Sequence, residues 1–249
     1  MGFAFRWLGC VAIVFLAGCA ATETPNASAG AAASAGPAAD IGEVETATST
    51  RLDRPRIVAL GDSLTAGLGL SQDQAYPRLL QDRLDATGLN FEVVNAGVSG
   101  DTSAGGLSRL DWALEGDVRI LIVALGGNDG LRGLPPEELG RNLATIIEIA
   151  QDRGVRVILA GMEAPPNFGA AYTAGFRSVY VDLAERFDVR LIPFLLEGVA
   201  GDPDLNQSDG IHPTEAGATV IADTLWAVLR PLAEESAKVI VEPRASPGS

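Results

Sequence analysis

The chain has 249 residues, a length that suits one globular domain with attached segments. Its 32 acidic and 18 basic residues give a formal net charge of −14, which argues against a nucleic-acid partner, because phosphate binding needs a basic surface. A hydrophobic share of 47% excludes wholesale disorder. Cysteine occurs only at Cys10 and Cys19, and histidine only at His212. These counts exclude a thiol metal cluster and any mechanism that needs two imidazoles.

The first residues are typical of a secretory signal. Arg6 gives a positive start, and the apolar run from Trp7 to Ala17 is too short to cross a bilayer, which needs about 20 residues. The run ends in Leu16-Ala17-Gly18-Cys19, which resembles the lipobox of bacterial lipoproteins. The resemblance implies a signal peptide over residues 1–18 and lipid attachment to Cys19. The alternative is an ordinary signal cut near Ala20-Ala21, and both predict that the protein leaves the cytoplasm.

Composition divides the remainder of the chain into three parts. Residues 19–52 are rich in Ala, Ser, Thr, Gly and Pro and have almost no large apolar side chains, which predicts a flexible tether. Residues 53–235 carry the periodic apolar patterns of a folded domain. Residues 236–249 are expected to form a disordered tail, because their last part is rich in Pro, Ser and Gly.

Strand and helix patterns alternate five times within the folded domain. Val118–Leu125 is the most continuous apolar run, and Pro136–Asp152 has apolar residues at helical spacing, with Gly154 past its end. Strands are predicted at 56–60, 91–95, 118–125, 155–160 and 189–192, and helices at 76–86, 103–114, 136–152, 172–187 and 214–229. This alternation predicts an α/β fold in which helices cover both faces of a five-stranded parallel sheet. Ligands bind such sheets at the carboxyl ends of the strands.

A serine follows the first predicted strand, in Gly61-Asp62-Ser63-Leu64. On a turn from a buried strand into a helix, its hydroxyl is exposed beside the positive end of the helix, as a nucleophile requires. The spacing is not that of a nucleophile elbow, because Thr65 stands where the second glycine would be. An ordinary helix-capping serine is the alternative.

Two further turns follow the second and third strands. In the first, Gly97-Val-Ser-Gly100-Asp-Thr102, small residues let the backbone approach a ligand, so the Gly100 N–H can donate to an oxyanion. A tight turn is the alternative there, and Ser99 is a rival nucleophile. The second turn places Asn128 where its amide can donate into the same crevice, although Asn is also common in ordinary turns.

The fourth segment, Asp209-Gly-Ile-His212-Pro213, precedes the last helix. A carboxylate three residues before an imidazole can bind one ring nitrogen and leave the other as a base towards a hydroxyl. A lone histidine is more often structural, but a serine hydrolase needs a base and His212 is the one candidate in the chain.

Together, the four segments resemble the GDSL, or SGNH, hydrolases, which carry Ser, Gly, Asn and His in four separate blocks in this order. The resemblance covers about residues 57–232 and is closest to the bacterial thioesterase I, lysophospholipase and arylesterase branch, through GDSLTAGLGL, GVSGDTSAGGLSRL, LGGNDGLRGL and DGIHP. It implies the flavodoxin-like three-layer α/β/α fold of that family. It also implies Ser63 as nucleophile, His212 as base oriented by Asp209, and the Ser63 N–H, the Gly100 N–H and the Asn128 amide as oxyanion donors.

The resemblance implies a serine esterase that cleaves carboxylic esters or thioesters through an acyl-enzyme, with no metal or organic cofactor. Pro165, Pro166 and Phe168 are candidate substrate-binding residues, although the same residues can simply pack a loop. Small or medium acyl esters near an envelope membrane are the expected substrates. A carbohydrate O-deacetylase of the same family and a catalytically silent binding lipoprotein are the alternatives. The expected location is the bacterial cell envelope, with a lipid anchor at Cys19 that faces the periplasm and no obligate protein partner. A soluble periplasmic or secreted enzyme is the alternative.

Overall fold

Strands and helices alternate along residues 54–241, which are the residues that the computed structural model describes. The strands are β1 (Arg56–Gly61), β2 (Glu92–Gly97), β3 (Val118–Ala124), β4 (Arg156–Ala160) and β5 (Arg190–Ile192). The helices are α1 (Ser63–Ala66), α2 (Tyr76–Ala86), α3 (Ser103–Ser108), α4 (Leu110–Ala113), α5 (Gly127–Leu131), α6 (Pro136–Asp152), α7 (Ala170–Phe187) and α8 (Glu215–Val241). The predicted signal peptide, the lipidated Cys19 and the tether lie outside the described residues.

The five strands form one parallel sheet in the order β2-β1-β3-β4-β5. This is the flavodoxin-like order, in which the direction of winding reverses beside β1. The predicted five-stranded parallel sheet is confirmed. The loops that follow β1, β2 and β3 all leave the same edge of the sheet, which is where such folds bind ligands.

The helices lie in two layers. Helix α2 packs against α8, whereas α6 packs against both α3 and α7. The connection from β1 to β2 runs towards one edge of the sheet. The connections from β2 to β3, from β3 to β4 and from β4 to β5 all run towards the opposite edge. Because such crossovers are right-handed, α2 lies on one face and α3, α6 and α7 lie on the other. The predicted three-layer α/β/α architecture is therefore confirmed.

The core is built around β3 and the apolar stripe of α6. Ile120 through Ala124 are fully buried, as the continuous apolar run predicted. On α6 the residues predicted to share one face are all buried: Leu139, Leu143, Ile146, Ile147 and Ala150. Removing this much apolar surface from water supplies the main driving force for folding. Between residues 54 and 241, no helix has both the length and the apolar character that crossing a membrane requires.

Two predicted helices differ from the structure by more than two residues. The helix expected over residues 103–114 is divided at Arg109, whose backbone leaves helical geometry between α3 and α4. Helix α8 continues through Pro231 to Val241, so residues 236–241 are helical and the disordered tail expected from residue 236 is wrong for them. Proline usually ends a helix, and the predicted helix stopped at 229, two residues before Pro231. Here Leu232 and Ser236 are buried, and their packing continues the helix past the proline.

Candidate active site

The predicted nucleophile lies on a tight turn at the end of β1. Ser63 is the first residue of α1, and Asp62 caps this short helix, its Oδ1 accepting a hydrogen bond from the Leu64 N–H at 3.0 Å. The turn packs closely against the end of β2. A side chain at Gly97 would collide with the backbone of Ala66, which explains why glycine stands there. The Ser63 hydroxyl is therefore held at the carboxyl edge of the sheet.

The predicted base and its carboxylate lie in the loop before α8. Asp209 Oδ1 accepts hydrogen bonds from the backbone N–H groups of Ile211 and His212 at 2.9 and 3.0 Å. Its Oδ2 lies 2.6 Å from His212 Nδ1. These hydrogen bonds hold the pKa of Asp209 well below its usual value. The ionised carboxylate favours the tautomer with hydrogen on Nδ1, which leaves Nε2 as an acceptor.

The turn that carries Ser63 and the loop that carries His212 meet at one contact. His212 Nε2 lies 2.9 Å from Ser63 Oγ, which is hydrogen-bonding distance. The rival nucleophile Ser99 is exposed and makes no hydrogen bond with His212. The structure thus brings Ser63, His212 and Asp209 together in the order that a serine hydrolase uses, and it leaves Ser99 outside.

Hydrogen bonds of Gln207 connect the loop that carries His212 to the loop that follows α1. Its backbone N–H donates to the His212 carbonyl at 2.7 Å. Its side-chain amide donates to the carbonyls of Leu68 and Pro213 at 2.7 and 2.9 Å. One side chain therefore holds the loop that carries the base beside the loop that follows the nucleophile.

The predicted oxyanion donors surround the same turn. Asn128 lies in α5, directly after β3, and its Nδ2 donates to the Asp101 carbonyl at 2.9 Å and to Asp62 Oδ2 at 3.2 Å. Gly100 is exposed and has a φ of +86°, a conformation that favours glycine. Within residues 54–241, the backbone N–H groups of Ser63 and Gly100 have no hydrogen-bond acceptor. Both are thus free to donate to a ligand.

Sequence reasoning gave no role to Asp62, although it is the most unusual carboxyl of the site. Its side chain is buried, and this burial raises its pKa to about 6, while hydrogen bonds from Leu64 and Asn128 oppose the rise. A carboxyl between a buried strand and a serine nucleophile is the signal that could have revealed it. Asp62 contacts both the nucleophile's helix and the Asn128 amide, and so links two parts of the site.

A cavity of about 450 Å³ opens beside Ser63. Most of its wall is apolar, and Ser63, His212 and Asn128 also line it. The apolar lining residues include Leu131, Met162, Ala164, Phe194, Leu196, Ala200 and Ile211, together with two of the predicted substrate residues, Pro165 and Pro166. The third predicted residue, Phe168, does not line this cavity. It is partly exposed and packs against Tyr172, with 5.2 Å between ring centroids.

Similarity to known proteins agrees with this geometry. The model of the GDSL-like lipase/acylhydrolase family matches residues 59–220, which span all four segments of the site. The chain belongs to this family. The predicted family resemblance and the predicted class of enzyme, a hydrolase of carboxylic esters, are thereby confirmed.

Two relatives and one solved structure illustrate how similar this GDSL-like acylhydrolase is to other proteins in sequence and in fold. Esterase TesA of Pseudomonas aeruginosa is 44% identical over 177 residues, which are 71% of this chain and 88% of the relative. Thioesterase 1/protease 1/lysophospholipase L1 of Escherichia coli is 40% identical over 71% of this chain and 84% of its own length. The crystal structure of AlinE4, an SGNH-hydrolase family esterase, matches with a TM-score of 0.61 and 46% identity, covering 72% of this chain and 97% of that one.

Proposed function

We propose that this acylhydrolase is a serine esterase in which Ser63 is the nucleophile, His212 the general base and Asp209 the residue that orients the base. The contact of 2.9 Å between His212 Nε2 and Ser63 Oγ carries the proposal. The ionised Asp209 on the other ring nitrogen supports it, because it stabilises the positive charge that His212 acquires when it takes the serine proton.

In the acylation step, Ser63 Oγ forms a bond to the carbonyl carbon of the ester while its proton passes to His212 Nε2. The negative charge that develops on the carbonyl oxygen is met by the Ser63 N–H, the Gly100 N–H and the Asn128 amide. The bond to the leaving alcohol or thiol then breaks, and His212 returns the proton to that group. A water molecule cleaves the acyl-enzyme by the same route, with His212 again taking and returning one proton. The proposal requires no metal or organic cofactor.

The Asn128 amide needs one adjustment to act in this way. In the structure its two N–H groups face the Asp101 carbonyl at 2.9 Å and Asp62 Oδ2 at 3.2 Å. Asp62 lines the cavity beside Ser63 whereas Asp101 does not, so the bond to Asp62 is the one that a developing oxyanion would replace. The bond to Asp101 would remain and keep the amide in place.

We propose esters of small or medium acyl groups as substrates. The apolar cavity beside Ser63 supports this, because an acyl chain bound there removes apolar surface from water. Pro165 and Pro166 would contact the chain, whereas Phe168 stays a weaker candidate. Relatives named as an esterase and as a thioesterase and lysophospholipase support the same range of leaving groups.

We also propose that the enzyme acts at the bacterial cell envelope, held by a lipid on Cys19. The lipobox-like Leu16–Cys19 and the tether-like composition of residues 19–52 support this. Such an anchor would present the cavity to acyl esters near a membrane surface. Globomycin, which blocks lipoprotein signal cleavage, should cause the full chain to accumulate in its unprocessed form. A Cys19→Ala variant should be released from the membrane fraction.

The function is tested by hydrolysis of p-nitrophenyl esters of increasing acyl length, beside acetylated sugars, with the full chain. We expect turnover that depends on acyl length and is lost in Ser63→Ala and His212→Ala. A maximum on acetylated sugars would favour the carbohydrate O-deacetylase. An inert parent protein would favour the silent binding lipoprotein and contradict the proposal.

A further inference from the structure

We propose that Arg109 is a positioning residue for the oxyanion site, an inference that rests on the proposed function. Arg109 lies between α3 and α4 and is largely buried, its side chain being 17% exposed. It makes no hydrogen bond or ion pair with Ser63, His212 or Asp209. Its guanidinium instead connects the ends of β1 and β2 and the turn after β2, which lie beside two of the proposed oxyanion donors.

All three nitrogens of the guanidinium are used. Nη2 donates to the Gly61 carbonyl at 2.9 Å, at the end of β1. Nη1 donates to the Ala96 carbonyl at 2.7 Å, near the end of β2. Nε donates to Asp101 Oδ2 at 2.6 Å, in the turn that follows β2. A planar group with donors in fixed directions therefore sets the relative positions of two strand ends and one turn.

Two of these three contacts lie close to a proposed oxyanion donor. Gly61 is two residues before Ser63, and Asp101 directly follows Gly100. The Asp101 carbonyl also accepts the 2.9 Å hydrogen bond from the Asn128 amide. Arg109 thus holds backbone that lies within two residues of the Ser63 and Gly100 N–H groups. It is linked to Asn128 through the hydrogen bond between Asn128 and the Asp101 carbonyl.

Pairing of the strands alone does not require this arrangement. β1 and β2 already pair along their whole length, from Arg56 opposite Glu92 to Gly61 opposite Gly97. The conformation of the Gly100 turn beyond β2 is not set by that ladder. The Arg109–Asp101 ion pair holds the turn directly, and a displacement of about 1 Å of a catalytic donor can cost about 10²-fold in rate.

Arg56 offers a matched control because it lies at the amino ends of the same two strands, opposite the ends that Arg109 contacts. Its Nε donates to Glu92 Oε2 at 3.0 Å and its Nη1 to the Glu115 carbonyl at 3.2 Å. It is therefore also an arginine that connects β1, β2 and a loop through an ion pair and a carbonyl. Arg56 differs from Arg109 in lying at the amino ends of the strands, away from the site.

The experiment compares Arg109→Ala, Arg109→Lys, Arg56→Ala and Ser63→Ala with the parent, in the full chain. It measures kcat and KM on a p-nitrophenyl ester and the midpoint of thermal unfolding. We expect kcat to fall about 10²-fold in Arg109→Ala while KM changes less than about threefold. Lysine has one compact charge and not three fixed donors, so Arg109→Lys should lose at least about tenfold in kcat. Arg56→Ala should keep the parental kcat.

Chemical rescue separates positioning from general stability. Guanidinium at about 50 mM should restore part of kcat in Arg109→Ala, by about tenfold, and should not change kcat in Arg56→Ala. Should Arg109→Ala not fold, Arg109→Lys decides: a lowered kcat supports the inference, and a parental kcat overturns it. A lower unfolding midpoint with parental kcat in either Arg109 variant also overturns it. Retained turnover in Ser63→Ala would overturn both the proposed function and this inference. If Ser63→Ala is inactive while Arg109→Ala is fully active, this inference alone is overturned.

Discussion

His212 Nε2 lies 2.9 Å from Ser63 Oγ, although 149 residues separate the two in the chain. The contact exists because both residues lie at the carboxyl edge of one parallel sheet. Ser63 opens the short helix after β1, and His212 lies in the loop that leads into α8. Hydrogen bonds of Asp209 and Gln207 hold the loop that carries His212 in this position.

Replacement of Asn128 tests the oxyanion site. In Asn128→Ala we expect kcat to fall about 10²–10³-fold with little change in KM, because the amide would act mainly on charge that develops in the transition state. Asn142→Ala is the control: this amide donates to Ser103 Oγ at 2.9 Å and does not line the cavity. Steady-state kinetics on one ester suffice. An Asn128→Ala variant with parental kcat would remove Asn128 from the oxyanion site.

Asp209→Asn tests the orientation of the base. The new amide oxygen can still accept from the Ile211 and His212 N–H groups, but its NH₂ then faces His212 Nδ1. This favours the tautomer with hydrogen on Nε2, which cannot take the Ser63 proton. The loss in kcat should be smaller than the roughly 10⁴-fold typical of a buried aspartate, because Asp209 is 47% exposed and water can partly replace it.

Asp202 supplies the control for that substitution. Its Oδ1 accepts from the Asp204 N–H at 2.9 Å, so it also stabilises a turn before α8, but it does not contact His212. Asp202→Asn should keep the parental kcat. Equal activity in the parent and in Asp209→Asn would show that Asp209 does not orient the base.

The raised pKa of Asp62 predicts a pH-dependent stability. In the folded chain the pKa of Asp62 is about 6, whereas an aspartate in the unfolded chain has a pKa of 3.8. Its contribution to the free energy of unfolding is therefore complete below about pH 4 and is lost as the pH rises to about 6. A shift of about two pKa units corresponds to about 3 kcal/mol.

Asp62→Asn removes this titration. Relative to the variant, the parent should lose about 3 kcal/mol of unfolding free energy between pH 3.5 and pH 7, as measured by urea denaturation. Asp209 titrates in both proteins, so its opposite contribution cancels in the difference. The new amide would also face the Asn128 amide donor, so kcat should fall. A stability difference that is constant with pH would contradict the assignment of the raised pKa to Asp62.

The cavity is tested by filling it. Ala200 lines the cavity and is exposed, so Ala200→Trp can add volume there without disturbing the core. We expect the preferred p-nitrophenyl ester to become shorter in acyl length. Phe168→Ala should leave the preference unchanged, because Phe168 lies outside the cavity. A changed preference in Phe168→Ala together with an unchanged one in Ala200→Trp would place the acyl chain elsewhere.

Much of the fold could be predicted because it follows from local patterns. The apolar run of β3 and the helical stripe of α6 determine their own burial, and the alternation of strands and helices determines a parallel sheet. Ser63, Asn128 and His212 could be found because each stands in a turn directly after a strand or before a helix. Their residue types suit the chemistry, so these residues could be proposed for the site before its geometry was known.

Contacts between distant segments could not be predicted in this way. The partners of Arg109 are 48, 13 and 8 residues away, and no local pattern indicates them. Phe168 looked like a substrate residue beside Pro165 and Pro166, but its ring packs against Tyr172, and only the position of the cavity, which distant segments form, shows that it lies outside. Helix α8 passes Pro231 because its buried face packs on both sides of the proline.

The most direct test of the central claim is covalent labelling of the full chain with a p-nitrophenyl phosphonate, followed by peptide mass spectrometry. An activated serine attacks phosphorus and keeps the phosphonyl group, with release of p-nitrophenol. We predict one adduct, on the peptide that contains Ser63, absent in Ser63→Ala and formed much more slowly in His212→Ala. An adduct on Ser99, or equal labelling of the parent and Ser63→Ala, would contradict the assignment of Ser63 as the nucleophile.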